Sequence, residues 1–423
     1  MPTSFKLMQQ AVSTSTGTQD FTVLGAGVCI GAFFWMTNAT ANATLANHSH
    51  MCTGAVDGTR QWAHAMCSED NVSSGIPISY RRGMTDKCLF KLDHTNGNVE
   101  GESAFDSFIT DGVRLDHTTA YSAAYLLNIL LVFGDGEVYT DYYELVGATH
   151  DITDLDCDFG ICVGNVGAAM DDTSTAAAGM TFGAFTLNPV ITQGGWAWMG
   201  GENAPVPPAF NSLASNHITN SYIWRNHDVV GGTDQYLDSG TKITAKISGG
   251  FTIQAAADGM GIFMVRGAPR LYARVRAELS PGSGSSSWPN YGVKPDLTVV
   301  GLSQITQLDS IRTRNIQGVP PCGIGMAASP TSEYSCCSAV IDGKSTTNTK
   351  SYTDNTFGFT NGFTNFGGAR AWRMNQTAID PDGYTVSVTD NVPKPYWWAL
   401  CVGASPDVWC KGDVWCKGDI WVK

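Results

Sequence analysis

Charge is scarce in this sequence. Only 15% of its 423 residues are Asp, Glu, Lys or Arg, and 25 basic against 38 acidic residues leave a net charge of −13. Nucleic acid and anionic membranes are both held through a basic footprint. No long basic run supplies a local one, so neither is expected as a main partner. Long apolar runs are missing as well. The most apolar early stretch, "VLGAGVCIGAFFWM", is too short and glycine-rich to span a bilayer, and no membrane insertion is expected. The first residues, "MPTSFKLMQQAVSTSTGTQD", lack the charged-then-apolar layout of a signal peptide, which points to synthesis and assembly in the cytoplasm.

Catalytic signatures are absent in the same way. There is no GxSxG elbow, no HExxH and no phosphate-cradling glycine loop ahead of a helix. No catalytic residue and no cofactor is therefore expected, and the chain reads as a non-enzyme. Asp70 and Asp342 lie in turn sequences and read as turn caps. The 12 cysteines form no CxxC pair, and in a cytoplasmic chain they read as reduced, buried, small hydrophobes.

What is plentiful is glycine, 47 residues of it, among threonines, asparagines and short apolar runs. That texture suits β-sheets joined by many turns. "SAAYLLNILLVFG" could pass for a buried helix, but its recurrence argues for a strand buried on both faces. Recurrence runs through the chain. "DFTVLG" at Asp20 returns as "DLTVVG" at Asp296, and Gln61–Trp62 returns as Glu333–Tyr334. Ser79–Tyr80 matches Ser351–Tyr352, "DGVRL" at Asp111 matches "DGYTV" at Asp382, and Tyr125 matches Tyr396. "GGFTI" at Gly249 followed by "GMGIFMVRGA" has the shape of the same ending, in a more divergent middle copy.

The expected fold is therefore all-β: tandem β-sandwich units, jelly-roll or lectin-like, with a short C-terminal β-repeat tail. The boundaries read as an arm over 1–19, unit one over 20–136, unit two over 140–270, a flexible linker over 271–295 rich in Ser and Gly, unit three over 296–403, and the tail over 404–423.

Three groups of residues suggest sites. Trp196, Trp198 and Trp224 stand beside Gly, Asn and Asp, and indole faces in such company bind sugars. Asp154, Asp156 and Asp158 alternate before a glycine, which resembles a calcium loop, although EF-hand spacing fails. His48, His50 and Cys52, with His64, could supply zinc ligands. The tail repeats Asp-aliphatic-Trp-Cys/Val-Lys-Gly from Asp407, Asp413 and Asp419. It cannot bury Trp409, Trp415 and Trp421 by itself, so it reads as an oligomerisation or docking element, three chains being the simplest closed arrangement.

Several phrases together, "STGTQDFTVLG", "GAVDGTRQWAHAMCSEDNVS", "NGNVEGESAFDSFITDGVRL", "STTNTKSY" and "YWWALCVGA", resemble uncharacterised virion structural proteins of tailed bacteriophages of marine alphaproteobacteria. The resemblance covers most of residues 1–403, but neither the middle unit nor the hexads. It implies a virion component assembled in the host cytoplasm, a tail fibre or baseplate-associated protein that binds other virion proteins and a host-surface glycan. A capsid decoration or head-fibre protein and a polysaccharide depolymerase are the alternatives.

Overall fold

In the computed structural model, Leu126–Phe133 is a strand, and no helix occurs among the described residues. Those are all residues except 73–78, 146–148, 166–177, 201–213, 231–232, 256–257, 280–282, 306–307, 310–320, 330, 341–348, 357, 364–369, 390–395 and 405–423.

Each of three units is a sandwich of a large and a small antiparallel sheet. In the first, β1 (Ser4–Ala11), β11 (Leu126–Phe133), β3 (Cys29–Met36), β5 (Ser49–Val56), β6 (Gln61–Ser68) and β7 (Ser79–Met84) lie side by side in that order. Its small sheet is β2 (Gly17–Thr22), β10 (Gly112–Thr119), β9 (Val99–Ile109) and β8 (Leu89–Leu92). In the second, the large sheet is β12 (Glu137–Leu145), β21 (Asp258–Arg266), β14 (Phe159–Asn165), β15 (Ala178–Thr186), β16 (Thr192–Gly200) and β17 (Ala214–Thr219). The small one is β13 (Thr149–Ile152), β20 (Gly250–Gln254), β19 (Thr233–Ile247) and β18 (Trp224–Val230). The third large sheet is β22 (Leu271–Leu279), β31 (Tyr396–Ala404), β24 (Leu297–Ile305), β25 (Pro321–Ser329), β26 (Ser332–Val340) and β27 (Thr349–Asp354). It gains a seventh strand from the first unit, β4 (Leu45–Asn47). Its small sheet is β23 (Gly284–Trp288), β30 (Gly383–Val388), β29 (Arg370–Asp380) and β28 (Phe359–Phe363).

The strand order is thus the same three times, the divergent middle included. Three expectations need correction. The arm is not free, because Ser4–Ala11 pairs along its whole length with β11. The linker is not a linker: Leu271–Leu279 pairs with β31 and Gly284–Trp288 with β30, with Leu271, Ala273 and Val275 buried. A Ser/Gly-rich composition does not prevent an edge strand from forming when its apolar alternate residues find a core. The likeness of "DFTVLG" to "DLTVVG" is also not an equivalence, since Asp20 lies in β2 of a small sheet whereas Asp296 precedes β24 of a large one.

Other repeats have a steric cause. Gly112, Gly250 and Gly383 each open the strand after a two-residue hairpin turn. A Cβ there would sit 1.9 Å from the Phe21 carbonyl oxygen, 1.8 Å from that of Ile152 and 2.0 Å from that of Trp288. Asp111 and Asp382 supply the turn and fasten the loop beside it. Asp111 accepts the Gly25 and Gly27 N–H groups, and Asp382 those of Asn290 and Gly292. A second set is polar. Gln61 accepts the Phe105 N–H and donates to the Asp86 carbonyl. Gln193 accepts from Ile243 and donates to the Ser221 carbonyl. Glu333 fills the same place in the third unit but accepts from both sides, from the Gln376 and Gly358 N–H groups.

Why "LLNILLVF" is apolar on both faces follows from how the units meet. Leu127, Ile129, Leu131 and Phe133 point into the first sandwich, and Leu130 and Val132 point out of it into a core common to all three units. The three large sheets turn their outer faces toward one another. There Phe33 lies 6.3 Å from Phe182 and 5.9 Å from Phe263, and Phe182 lies 5.3 Å from Trp398, ring centre to ring centre. The first strand of each unit packs on the preceding unit: β12 on β3, β5 and β6, β22 on β15 and β16, and β1 on β25 and β26. The last contact closes a ring. Each large apolar side chain so buried stabilises it by roughly 1.5–3 kcal/mol.

Candidate functional site

The ring has two unlike ends. At one end the chain crosses between units, at 134–136 and 267–270, and there β1 begins and β31 stops. Thr3 marks the closure, its N–H donating to the Ala268 carbonyl and its hydroxyl accepting the Ala268 N–H. Connections at this linker end are short and pinned. At the opposite end β14 and β15, β16 and β17, and β24 and β25 break off, so the segments 166–177, 201–213 and 306–320 depart there. Long connections on a rigid scaffold are where binding surfaces are built.

The fully described part of this loop end is the seam between the first and third units. β4 pairs with β27, Asn47 opposite Lys350 and Leu45 opposite Tyr352. His48, in the left-handed region at φ 68°, turns the chain from β4 into β5. Asp70 bridges the seam, accepting the Thr349 N–H at 3.0 Å and the Lys350 ammonium at 2.5 Å. Ser49 and Ser338 share a hydroxyl hydrogen bond of 2.6 Å, and the His50 N–H donates to Ser351 Oγ at 2.8 Å.

Imidazoles set the electrostatics here. His48 Nδ1 accepts the Asp70 N–H at 3.0 Å, and its ring stacks on His94 with centres 3.5 Å apart. Burial, then the neighbouring charge of His94, holds His48 down to about 4, against the pull of Asp70. His50 Nε2 accepts the Leu92 N–H at 3.3 Å, and burial keeps that ring neutral far below its ordinary range. Burial lowers His94 too. A relay of amides lies alongside, Asn42 donating to Gln9 and Gln9 to Asn128. The Lys91–Glu100 and Lys350–Asp70 pairs leave little free charge in the patch. His48, His94, Gln9 and Asn42 are part-exposed along the seam, whereas His50 and Asn128 are buried beneath it.

The residues singled out for sugar binding do not reach this surface. Trp196 and Trp198 are fully buried in the common core, and Trp196 donates its indole N–H to the Gly323 carbonyl of the third unit at 3.1 Å. Trp224 is fully buried inside the second sandwich. The face of β16 that would expose Trp196 and Trp198 in a lone sandwich is covered by the neighbouring units, whereas Trp224 faces the interior of its own sandwich.

The acidic run is likewise spent on structure. Asp154 accepts the Tyr143 hydroxyl at 2.7 Å. Asp156 pairs with Arg270 at 3.0 Å and Lys246 at 3.2 Å. Asp158, fully buried, pairs with Arg270 at 2.6 Å and accepts the Gly267 and Leu271 N–H groups. Asp156 and Asp158 latch the crossing from the second unit to the third, while Asp154 stays within the second unit, and among the described residues no group of three or more potential ligands could hold a metal. His48, His50 and Cys52 do not converge either, because His48 leaves the strand that carries the other two. All ten described cysteines are buried thiols. Trp409, Trp415 and Trp421, with Asp342, lie outside the described residues.

Sequence reasoning missed the seam. β4 and His48 lie in the connection between β3 and β5, which is no longer than its counterparts 166–177 and 306–320, so its length gave no sign of it. No protein-family model matches the chain, and no curated protein matches it.

Proposed function

We propose that the chain is a structural protein of a tailed-bacteriophage virion, a tail-fibre or baseplate-associated component that attaches to host-surface glycan through its loop end. The observation carrying this reading is the division of the ring. The three connections 166–177, 201–213 and 306–320 leave from one end, and the polypeptide continues beyond Ala404 from the other. A body so divided can be fastened at one end and present long loops at the other. The resemblance of the phrases in the first and third units to virion proteins supports the same reading. The tail beyond Ala404, with its three tryptophans, is the docking element toward other virion proteins.

Two measurements test it. Antibody labelling of particles in negative stain should mark the distal tail; label on the head would favour a capsid decoration role instead. Replacing 201–213 with a short Gly/Ser turn should weaken adsorption to host cells while the variant still enters particles. Undiminished adsorption removes the attachment reading, and release of reducing ends from host polysaccharide would make the chain a depolymerase.

A further inference from the structure

We infer that in the free chain the residues beyond Ala404 fold back on the first unit, where the tryptophan hexads of 405–423 cover an apolar patch formed by Met1, Leu24 and Val28. The inference goes beyond the proposed function and holds whether or not the chain belongs to a virion. Where it does, docking to another virion protein must first lift the tail.

Three observations carry it. The first is a loop that breaks the repeat. In each unit one connection at the linker end leads from the small sheet to the large: 23–28, 153–158 and 289–296. In the second and third units its apolar residues turn inward, and Leu155, Tyr291 and Val293 are buried in their own sandwiches. In the first unit Leu24 is 96% and Val28 64% exposed. The loop is nonetheless fixed, because Asp111 accepts both the Gly25 and the Gly27 N–H groups. Met1, also exposed, adds its side chain to the same surface, since a Cβ at Gly27 would lie 2.8 Å from Met1 Cε. The sandwich does not use these side chains, and such a cluster marks a contact surface.

The second is where the tail begins. Ala404 pairs with Leu271, three residues beyond Ala268, and Ala268 exchanges two hydrogen bonds with Thr3. The Asp135 N–H donates to the Met1 carbonyl at 2.9 Å and the Gly134 N–H to that of Val28 at 3.2 Å, which holds the patch at this same end. Fully extended, five residues carry Trp409 about 17 Å from Ala404, and eleven carry Trp415 about 37 Å. A segment tethered so closely meets the patch at an effective concentration on the order of millimolar, far above that of a second copy in dilute solution.

The third is the chemistry of the tail. Trp409, Trp415 and Trp421 each stand in a hexad with one Asp and one Lys, so the segment brings apolar rings with no net charge. It meets no repulsion from this acidic chain, and it cannot bury three indoles by itself.

The chain supplies its own probe. Ten of its 12 cysteines are buried, and the other two, Cys410 and Cys416, follow tail tryptophans directly. Leu24→Cys places a thiol in the patch. Val190→Cys is the control, because Val190 is 54% exposed and its loop lies nearer the origin of the tail, Asn188 donating to the Leu271 carbonyl at 2.7 Å. Mild oxidation should join position 24 to Cys410 or Cys416 within one chain several-fold faster than position 190, read by peptide mapping of the monomer band on a non-reducing gel. Equal or faster linkage at position 190, or none at position 24, overturns the inference. Dimers joined through position 24 overturn it too, since they would put another chain's tail on the patch. Leu24 carries almost no packing, so Leu24→Asp leaves the fold intact and should increase acrylamide quenching of tryptophan fluorescence in the full chain. Unchanged quenching counts equally against the inference.

Discussion

Glu333 offers the sharpest test of the packing. It stands where the other units carry glutamine, it is 3% exposed, and both its oxygens accept backbone N–H groups, at 2.7 Å from Gly358 and 2.8 Å from Gln376. Burial outweighs those two donors and raises its pKa from 4.5 to about 8. Between those values the folded chain keeps a proton that the unfolded chain has lost. Stability must therefore fall as pH rises through this window. At about 1.4 kcal/mol per unit, the whole fall amounts to roughly 4–5 kcal/mol. Glu333→Gln removes the titration. Its amide can still accept from Gln376, but it turns an N–H toward the Gly358 N–H, an unmet donor costing about 1–3 kcal/mol. The variant should accordingly be less stable than the parent at pH 5 and more stable at pH 9. Urea unfolding of both proteins, followed by tryptophan fluorescence from pH 5 to 9, measures the difference. If the two stability curves run parallel, the buried carboxyl does not titrate as reasoned.

Four further outcomes are expected. Trp62→Ala removes a ring that covers Gly261 of the second unit and donates to Thr140 Oγ1 at 2.6 Å and the Ile262 carbonyl at 2.9 Å. It should cost about 3–5 kcal/mol in chemical unfolding. Alanine at Gly112, Gly250 or Gly383 should each destabilise by about 2 kcal/mol or more, because the added carbon meets a carbonyl oxygen. Alanine at Gly284, where space is open and only the positive φ of 111° opposes it, should cost about 1 kcal/mol, and equal effects would refute the steric account. Asp158→Asn should destabilise by about 1–3 kcal/mol, since it turns a buried amide N–H toward the Arg270 Nε–H while Arg270 keeps its pairing with Asp156, and chelator should leave the melting temperature of the parent unchanged. His48 contributes stability at the seam that is complete above its ordinary value of 6.5 and is lost as pH falls through about 4. Hydrogen-exchange protection factors, taken against the intrinsic rate at each pH, should fall at β4 and β27 over that range while those of β11 hold.

Much of this architecture can be read from residues in order. Alternation in "VRL" and "YTV", Asp-Gly at hairpin turns and apolar runs closed by glycine are local effects of backbone sterics and of the pleat. They mark strands wherever they occur, and they placed three similar sandwiches in one chain. Short phrase likeness is weaker evidence: "DFTVLG" and "DLTVVG" read alike yet belong to different sheets, because a six-residue strand pattern says nothing about its neighbours.

What lay opposite each face was settled only by tertiary structure. Alternation tells that Trp196 and Trp198 share a side of β16, not whether that side meets water, sugar or another sheet. It meets the other two large sheets, and the same closure turns an apparent arm into β1 and an apparent linker into β22 and β23. The aspartates show the same limit, since Arg270 is remote in sequence from Asp156 and Asp158 and finds them only at the crossing between units. Sequence fixes local geometry through short-range sterics; which surfaces are buried depends on contacts between residues hundreds of positions apart.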